Sequence, residues 1–564
     1  MALAVVTGHA WLGWAVFAAF WTCLCDAPGP DDRRRRLLAA FVLGGTVIAF
    51  TGSWTASFGV TGALMAGPAL VFCAVMGAAA LPHGGLLGTL LAVVAVVAVG
   101  FPHPAQLAAM QALAYLAGGA WAFLLITLFW RIDPALPLRR NATVIIARMA
   151  DMVGDLIAIG DSTHRDAEWH SEYGEHRRAV RLAIEGLASS LERYPAATED
   201  RQAWRRLLDA FETMFSALIA LDHAHIHRLG PATERRAAAP AFRIALAACR
   251  LTVHRRDRIE ALLRRGIHRL ERLRRSLTYE PIIGCIVALE DTLGTLNRPT
   301  APYALRVPVP DGLRSGWRER FRRQLRPALL QSAGVVGVYY VAFVFQLGYP
   351  YWATMALIVV LQGGARVTWT RCLERIIGSL LGGLFVLVLL HFVGVVFVLS
   401  ALAILLAAAS IALRSVNYTL FVVFLTMLFI TVTEMLQPGA GVASARMVDN
   451  VIGSLAALVA VLVLWPDLGP PLRERLAKGY ETNRAYLDAV ATGKPRAEIS
   501  DARRAAGLAS VEVETALHDL GGLPRRWHGL SETDVSSLRD MRELAGEAAC
   551  AWHKRLVCGP EGEL

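Results

Sequence analysis

The chain has 564 residues, a net charge of +11, only 18% charged residues and a mean hydropathy of +0.44. That is too apolar for a water-soluble protein of this length. From Leu37 to Trp130 there is no Asp, Glu, Lys or Arg, which excludes a soluble fold there and demands several membrane spans.

In chain order, the apolar run starts at Met1 without a basic n-region or a small-residue cleavage motif, so no signal peptide is expected. Spans are read near 1–25, 37–52, 56–80, 84–101 and 105–130, the later ones separated by "LPHGG" and "FPHP". Residues 131–326 are Arg-rich and soluble in character. A second apolar block follows, with spans near 328–347, 350–364, 375–393, 395–413, 417–434 and 446–465, and 467–564 turns soluble again. The expected fold is an all-α polytopic membrane protein of two repeated helical modules, about five and six spans, each followed by a cytoplasmic helical domain. The divisions are 1–130, 131–326, 327–466 and 467–564.

Arginines gather at 33–36, 131–140, 314–326, 366–375 and 414, and again after Pro466. Following the spans, all of these fall on one side, which the positive-inside rule makes the cytoplasm. Arg366, Arg371, Glu374 and Arg375 then belong to a cytoplasmic connection. A repeat is also legible: residues 8–40 lie on about 348–380, with Trp11 opposite Trp352 and Arg34 opposite Arg375. Both blocks end alike, in "LITLFWRIDP" and "LVLWPDLGP". Met1 aligns near Val341, so in this alignment the first module lacks most of an opening helix: either one span is missing or the true start lies further upstream. Duplicated membrane halves are an architecture that transporters use.

Ionisable residues between the cytoplasmic arginines of the second block are few: His391, Glu434, Arg446 and Asp449. Charge at membrane depth faces a protein interior or a cavity. Arg446 and Asp449 are three residues apart on one helical face. They can form a local ion pair that fixes a helix mouth, or serve as a substrate-holding arginine and a proton-responsive carboxylate. Asp449 and Glu434 are the candidates for proton coupling. Arg371 and Arg375 make a basic ridge continued by Gly378 and Gly382, a small-residue face that lets a helix approach closely. That ridge either sets topology or lines a vestibule offering guanidinium forks to organic carboxylates. Tyr351 and Trp352 lead one span at the outer interface, while Asn417, Tyr418, Thr426 and Thr431 lie along another. The first block supplies mainly His83, His103, Gln106 and Gln111, so the site is expected in the second. Candidate substrate-binding residues are Arg366, Arg371, Arg375, Tyr351, Trp352, Asn417, Tyr418 and Arg446.

Three segments, "PYWATMALIVVLQ…TRCLERIIGSLLGG", "LRSVNYTLFVVFLTMLFI" and "ARMVDNVIGSLAALVAVLVLWP", carry a pattern. It runs Tyr-Trp-Ala, Arg-x-x-Gly-x-x-x-Gly, Asn-Tyr, Ala-Arg-x-x-Asp-x-x-x-Gly and Trp-Pro. It resembles the second membrane module of the fusaric acid resistance family, also called aromatic acid exporters. The resemblance covers about 345–466 well and the cytoplasmic segments only in character. It implies a bacterial inner-membrane exporter of small aromatic or hydrophobic carboxylic acids, in some members working with a periplasmic adaptor and an outer-membrane channel. Related plant malate channels keep an anion channel open as a second reading. A membrane scaffold with a partner on the middle domain is a third.

The soluble segments say less. Residues 250–275 carry ten arginines and read as a basic bundle helix with Leu262, Ile267, Leu270 and Leu273 on one face. Its alternatives are anionic lipid and, least of all, nucleic acid, which is not expected as a partner. His223 and His227 sit at i,i+4 without a third ligand, so no metal is expected. No GxxxxGK[ST] loop is present, hence no ATP motor of that kind. The eight cysteines lack metal or disulfide spacing. No cofactor and no enzymatic constellation is expected. The partners are small organic anions and the bilayer, with a homo-dimer suggested by the glycine stripes.

Overall fold

The computed structural model describes residues 9–27, 31–81, 84–129, 133, 135–159, 167–192, 199–254, 260–297, 317–345, 350–361, 365–392, 396–414, 416–436, 442–464, 470–519 and 532–558. Among them there are helices and turns and no strand. They cluster into two compact units, Met1–Ile132 with Arg306–Gly469, and Asp133–Leu305 with Pro470–Leu564.

The first unit begins with α1 (Gly13–Cys25), α2 (Asp31–Ala56), α3 (Val60–Ala78), α4 (Gly85–Val99) and α5 (Ala105–Leu124), the last running on through a π turn to Phe129. It continues with α12 (Trp317–Val344), α13 (Pro350–Val360), α14 (Ala365–Phe392), α15 (Val396–Leu413), α16 (Tyr418–Leu436) and α17 (Val442–Leu464). Seven helices are long and apolar enough to cross a membrane, and four apolar helices are shorter. The short ones include α4, with 15 residues, and α13, with 11. At ~1.5 Å per residue neither reaches across ~30 Å of hydrocarbon by itself. Both are apolar all round and buried nearly throughout, as helices without a solvated face must be. They pack on each other at the centre of this unit, where the Phe101 and Tyr351 rings lie 5.2 Å apart.

Helix starts differ from the sequence expectation in an instructive way. The second span begins at Asp31 and takes in the whole "DDRRRR" run. Asp31 and Asp32 face the positive end of the helix dipole, and Arg34 closes on Asp26 with Nε to Oδ1 (2.5 Å) and Nη2 to Oδ2 (2.6 Å). Helix α12 likewise begins at Trp317, so Arg318 to Arg326 open a membrane-unit helix and do not close the middle domain. Helix α14 begins at Ala365. Arg371 and Arg375 are therefore intrahelical, which corrects their placement in an interhelical connection. Nothing between Ala365 and Gly378 breaks a helix, and four arginine-glutamate residues at helical spacing favour one.

Both halves of this unit pack the same way. Helix α1 lies on α5, α2 on α4 and α5, and α3 on α4; α13 lies on α17, α14 on α16 and α17, and α15 on α16. In each half a glycine makes the closest approach possible. A Cβ on Gly118 of α5 would run into the Ala15 carbonyl of α1, and one on Gly453 of α17 into the Ala353 carbonyl of α13. Backbone cannot move aside as a flexible side chain can. Gly453→Ala is therefore expected to cost about 1–3 kcal/mol or more, read as a lower melting temperature and a smaller folded fraction on detergent gel filtration. Unchanged melting would show that α13 shifts freely. The Gly378 and Gly382 stripe is also spent within the chain, against Val422, Val423 and Thr426 of α16.

The second unit holds α6 (Leu136–Ile159), α7 (Ala167–Leu191), α8 (Glu199–Ile226), α9 (Ala232–His254), α10 (Glu260–Arg274), α11 (Glu280–Asn297), α18 (Leu472–Ala491), α19 (Arg496–Asp519) and α20 (Glu532–Cys558). Its core joins Phe211, Phe242 and Leu289 to Ala549 and Cys550, because α20 packs on α8 and α11. The middle and C-terminal segments thus share one core. Buried Arg181 bonds Glu212 (2.6 Å) and donates to the Arg504 carbonyl (3.2 Å). In α10 the buried line is Leu263, Gly266 and Leu270, and Leu262 is exposed. The apolar face is turned by one residue from the sequence reading.

Candidate functional site

The second membrane module buries a set of polar side chains that the first does not match in charge. Arg375 of α14 is 2% exposed, and Arg446 and Asp449 of α17 are 0% and 2% exposed. Arg375 Nη2 donates to Asn450 Oδ1 at 3.1 Å. The Arg446 guanidinium lies 5.1 Å from the Trp352 ring centroid and 4.6 Å from that of Phe429. Two aromatic faces thus hold it by cation–π attraction. Ser379 and Ser454 are buried beside these helices' polar lines.

Depth follows from counting. Arg375 is ten residues from the start of α14 and Asn450 eight from the start of α17, or ~15 Å and ~12 Å along each axis. Short connections make successive helices antiparallel, so the two residues approach from opposite ends of these helices and meet inside the packed module. One guanidinium at the centre of a span costs ~2.5–3.5 kcal/mol on insertion scales.

Compensation within the protein is incomplete. Nε and Nη1 of Arg375, Nε and Nη1 of Arg446, Nδ2 of Asn450 and the hydroxyls of Ser379 and Ser454 are buried without a hydrogen-bond partner. Oδ2 of Asp449 is equally unpartnered, and between the described Arg446 and Asp449 side chains no ion pair closes. The charged groups acting on Arg446 are Arg375 and Asp449, with neutral Tyr351 nearby, and the one acting on Asp449 is Arg446. Two cations face one carboxylate. Buried donors of this kind are paired in nearly every protein; here they are not.

The remaining candidates fall elsewhere. Arg371 is half-exposed one turn from Arg375, paired with Glu374 at 3.6 Å and lying 4.1 Å over the Tyr418 ring. Asn417 is exposed and caps α16, its Oδ1 accepting from the Leu420 amide at 3.0 Å. Glu434 is half-buried in the last turn of α16. The side chain of Arg366 and residue His83 lie outside what is described. Trp352 and Tyr351, read as an outer belt, are buried instead, because α13 is enclosed by longer helices. Asn450, Phe429, Ser379 and Ser454 were not singled out from sequence. A signal did exist: Arg446, Asn450 and Ser454 repeat at four-residue spacing, as do Arg375 and Ser379, and polar residues in register on an apolar span mark its inner face.

Counting back from the close-approach glycine gives the matching place in the first half. Seven residues before Gly453 stands Arg446, and three before it Asn450; before Gly118 the same steps reach Gln111 and Tyr115. The Gln111 amide and the Tyr115 hydroxyl are buried without partners, but both are neutral. Among the described residues, buried guanidinium groups without acceptors in this unit belong to the second half; buried Arg34 of the first is paired with Asp26.

Residues 336–460 match the sequence model of a family described as fusaric acid resistance protein-like. The match lies within the second membrane module. Inner membrane protein YccS of Escherichia coli (strain K12) is 30% identical over 171 residues, 30% of this chain and 23% of that protein. The match thus spans under a quarter of that relative's length. No solved structure matches the chain. With seven helices suited to crossing a bilayer and an inner-membrane relative, the chain is a multi-pass inner-membrane protein. Arg375, Arg446 and Asp449 all lie inside the matched segment. In the second unit, the His223 and His227 rings are 4.3 Å apart. No group of three His, Cys, Asp or Glu residues suited to a metal occurs among the described residues.

Proposed function

We propose that this protein is a secondary exporter of small aromatic or hydrophobic carboxylic acids across the inner membrane, coupled to the proton gradient through Asp449. The observation that carries the reading is the pair of buried guanidiniums, Arg375 and Arg446, whose Nε and Nη1 groups have no protein acceptor. A carboxylate supplies the missing acceptors and charge, and the ring of an aromatic acid suits a site walled by Trp352 and Phe429. In this reading the unit of Asp133–Leu305 and Pro470–Leu564 lies on the cytoplasmic side, where the arginine-rich connections point.

The test is efflux from cells preloaded with a panel of radiolabelled aromatic acids, with and without a protonophore, comparing wild type and Asp449→Asn. Wild type should clear at least one acid, the protonophore should stop the clearance, and Asp449→Asn should abolish it with normal insertion. Clearance that follows the anion gradient and survives the protonophore would replace the exporter by an anion channel.

A further inference from the structure

We infer that Asp449 sets the charge of the anion this site accepts: one negative charge when Asp449 is ionised, two when it is neutral. This rests on the proposed function, because it takes the Arg375–Arg446 cluster as the cargo site. Arg375 and Arg446 are permanently cationic. The groups that act on them from the packed elements are few. Helix α17 brings Asp449, and α13 brings the neutral Tyr351; α14 brings Arg375 itself, and α16 brings the uncharged Phe429 face. Glu434 is not among the groups acting on either Arg446 or Asp449. With Asp449 ionised the cluster carries a net +1, and with Asp449 neutral +2.

Arg375, Arg446 and Asp449 are 0–2% exposed, so solvent does not screen the remainder, and a mismatch of one charge carries the cost of burying an unpaired ion. A monoanion therefore neutralises the ionised site, whereas a dianion leaves an excess negative charge unless a proton enters with it. Geometry allows the second state. Asp449 Oδ2 has no donor, so protonating it breaks no hydrogen bond at that oxygen, and the unpartnered N–H groups of both arginines remain for the cargo. A site whose required cargo charge changes with one proton couples protons to cargo at the binding step.

The experiment uses the purified full chain in nanodiscs of neutral lipid, titrated calorimetrically with benzoate, isophthalate and neutral benzamide at about pH 7.5, where both acids are ionised. Wild type should bind benzoate at least about tenfold more tightly than isophthalate and benzamide not at all. Asp449→Asn should invert the ratio in favour of isophthalate. If Asp449→Asn keeps the wild-type ratio, the charge rule is overturned and the exporter reading stands. If wild type binds neither acid, the cargo site itself is overturned and the rule falls with it. Should Asp449→Asn not fold, Asp449→Ser, which also removes the charge, is titrated in its place. It should favour isophthalate, and the wild-type ratio in that variant overturns the rule.

Discussion

Arg375→Ala is expected to reduce efflux of a transported aromatic acid by about 100-fold or more, while Arg371→Ala, one helical turn away, keeps most of it. The two residues are both arginines on α14, and the sequence treats them alike. The structure separates them. Arg375 is fully buried, bonds Asn450 and has two further nitrogens without acceptors. Arg371 is half-exposed and already occupied by Glu374 and the Tyr418 ring. Truncating one partner of a desolvated, hydrogen-bonded charge pair costs about 2–5 kcal/mol, which is the source of the expected factor. A screened surface pair is worth under about 1 kcal/mol. Insertion should survive Arg375→Ala, because removing a cation from membrane depth lowers the insertion cost, although Asn450 Oδ1 loses its donor. Membrane fractionation and radiolabelled efflux on both variants provide the check. Equal loss in both would return the site to the cytoplasmic vestibule that the sequence suggests.

Acidification is expected to destabilise the unit of Asp133–Leu305 and Pro470–Leu564 between about pH 6.5 and pH 4 through His553 and His223. His553 is fully buried between α20 and its neighbours, with Nδ1 2.7 Å from the Ala549 carbonyl and Nε2 unpartnered. Desolvation foremost, with Arg503 adding repulsion, pushes its pKa down to about 4. Burial, with His227 and Arg177 nearby, pushes His223 down to about 4 as well. The unfolded chain protonates such a histidine near its ordinary value of ~6.5 while the folded one resists. Protons therefore favour the unfolded state as pH falls. The stability is whole above the unfolded pKa and is lost on going down through the folded one. For His553 the loss reaches about 3 kcal/mol, from ~1.36 kcal/mol per unit. Melting of the full chain in nanodiscs across that range should fall with pH, and His553→Leu should flatten the slope. Parallel curves for wild type and His553→Leu would remove His553 as the cause.

Much of the fold is legible along the chain because lipid imposes a harsh local rule. Ninety-four uncharged residues in a row admit no soluble alternative, and helices are the form in which one segment satisfies its own backbone in lipid. The eleven apolar helices of the first unit fall where hydropathy places them. Their starts do not, since α2, α12 and α14 each extend back through arginines. Hydropathy ends a span at its first charge, whereas helical hydrogen bonding continues past it. The order of burial is also hidden: nothing local distinguishes α13, enclosed on all sides, from a lipid-facing span of similar composition.

Site residues divide along the same line. Arg446 and Asp449 stand out from sequence alone, because an ionisable residue in an apolar run is expensive wherever it packs. That Arg375 belongs with them, and Arg371, Asn417 and Tyr418 do not, is decided by α14 and α17 crossing so that positions 75 residues apart in the chain make a hydrogen bond. Sequence by itself thus determined the solvent of each segment and the rare charges that segment must account for. Tertiary structure decided which of those charges meet, since burial, pairing and the surplus of donors are properties of two helices in contact and of neither one alone.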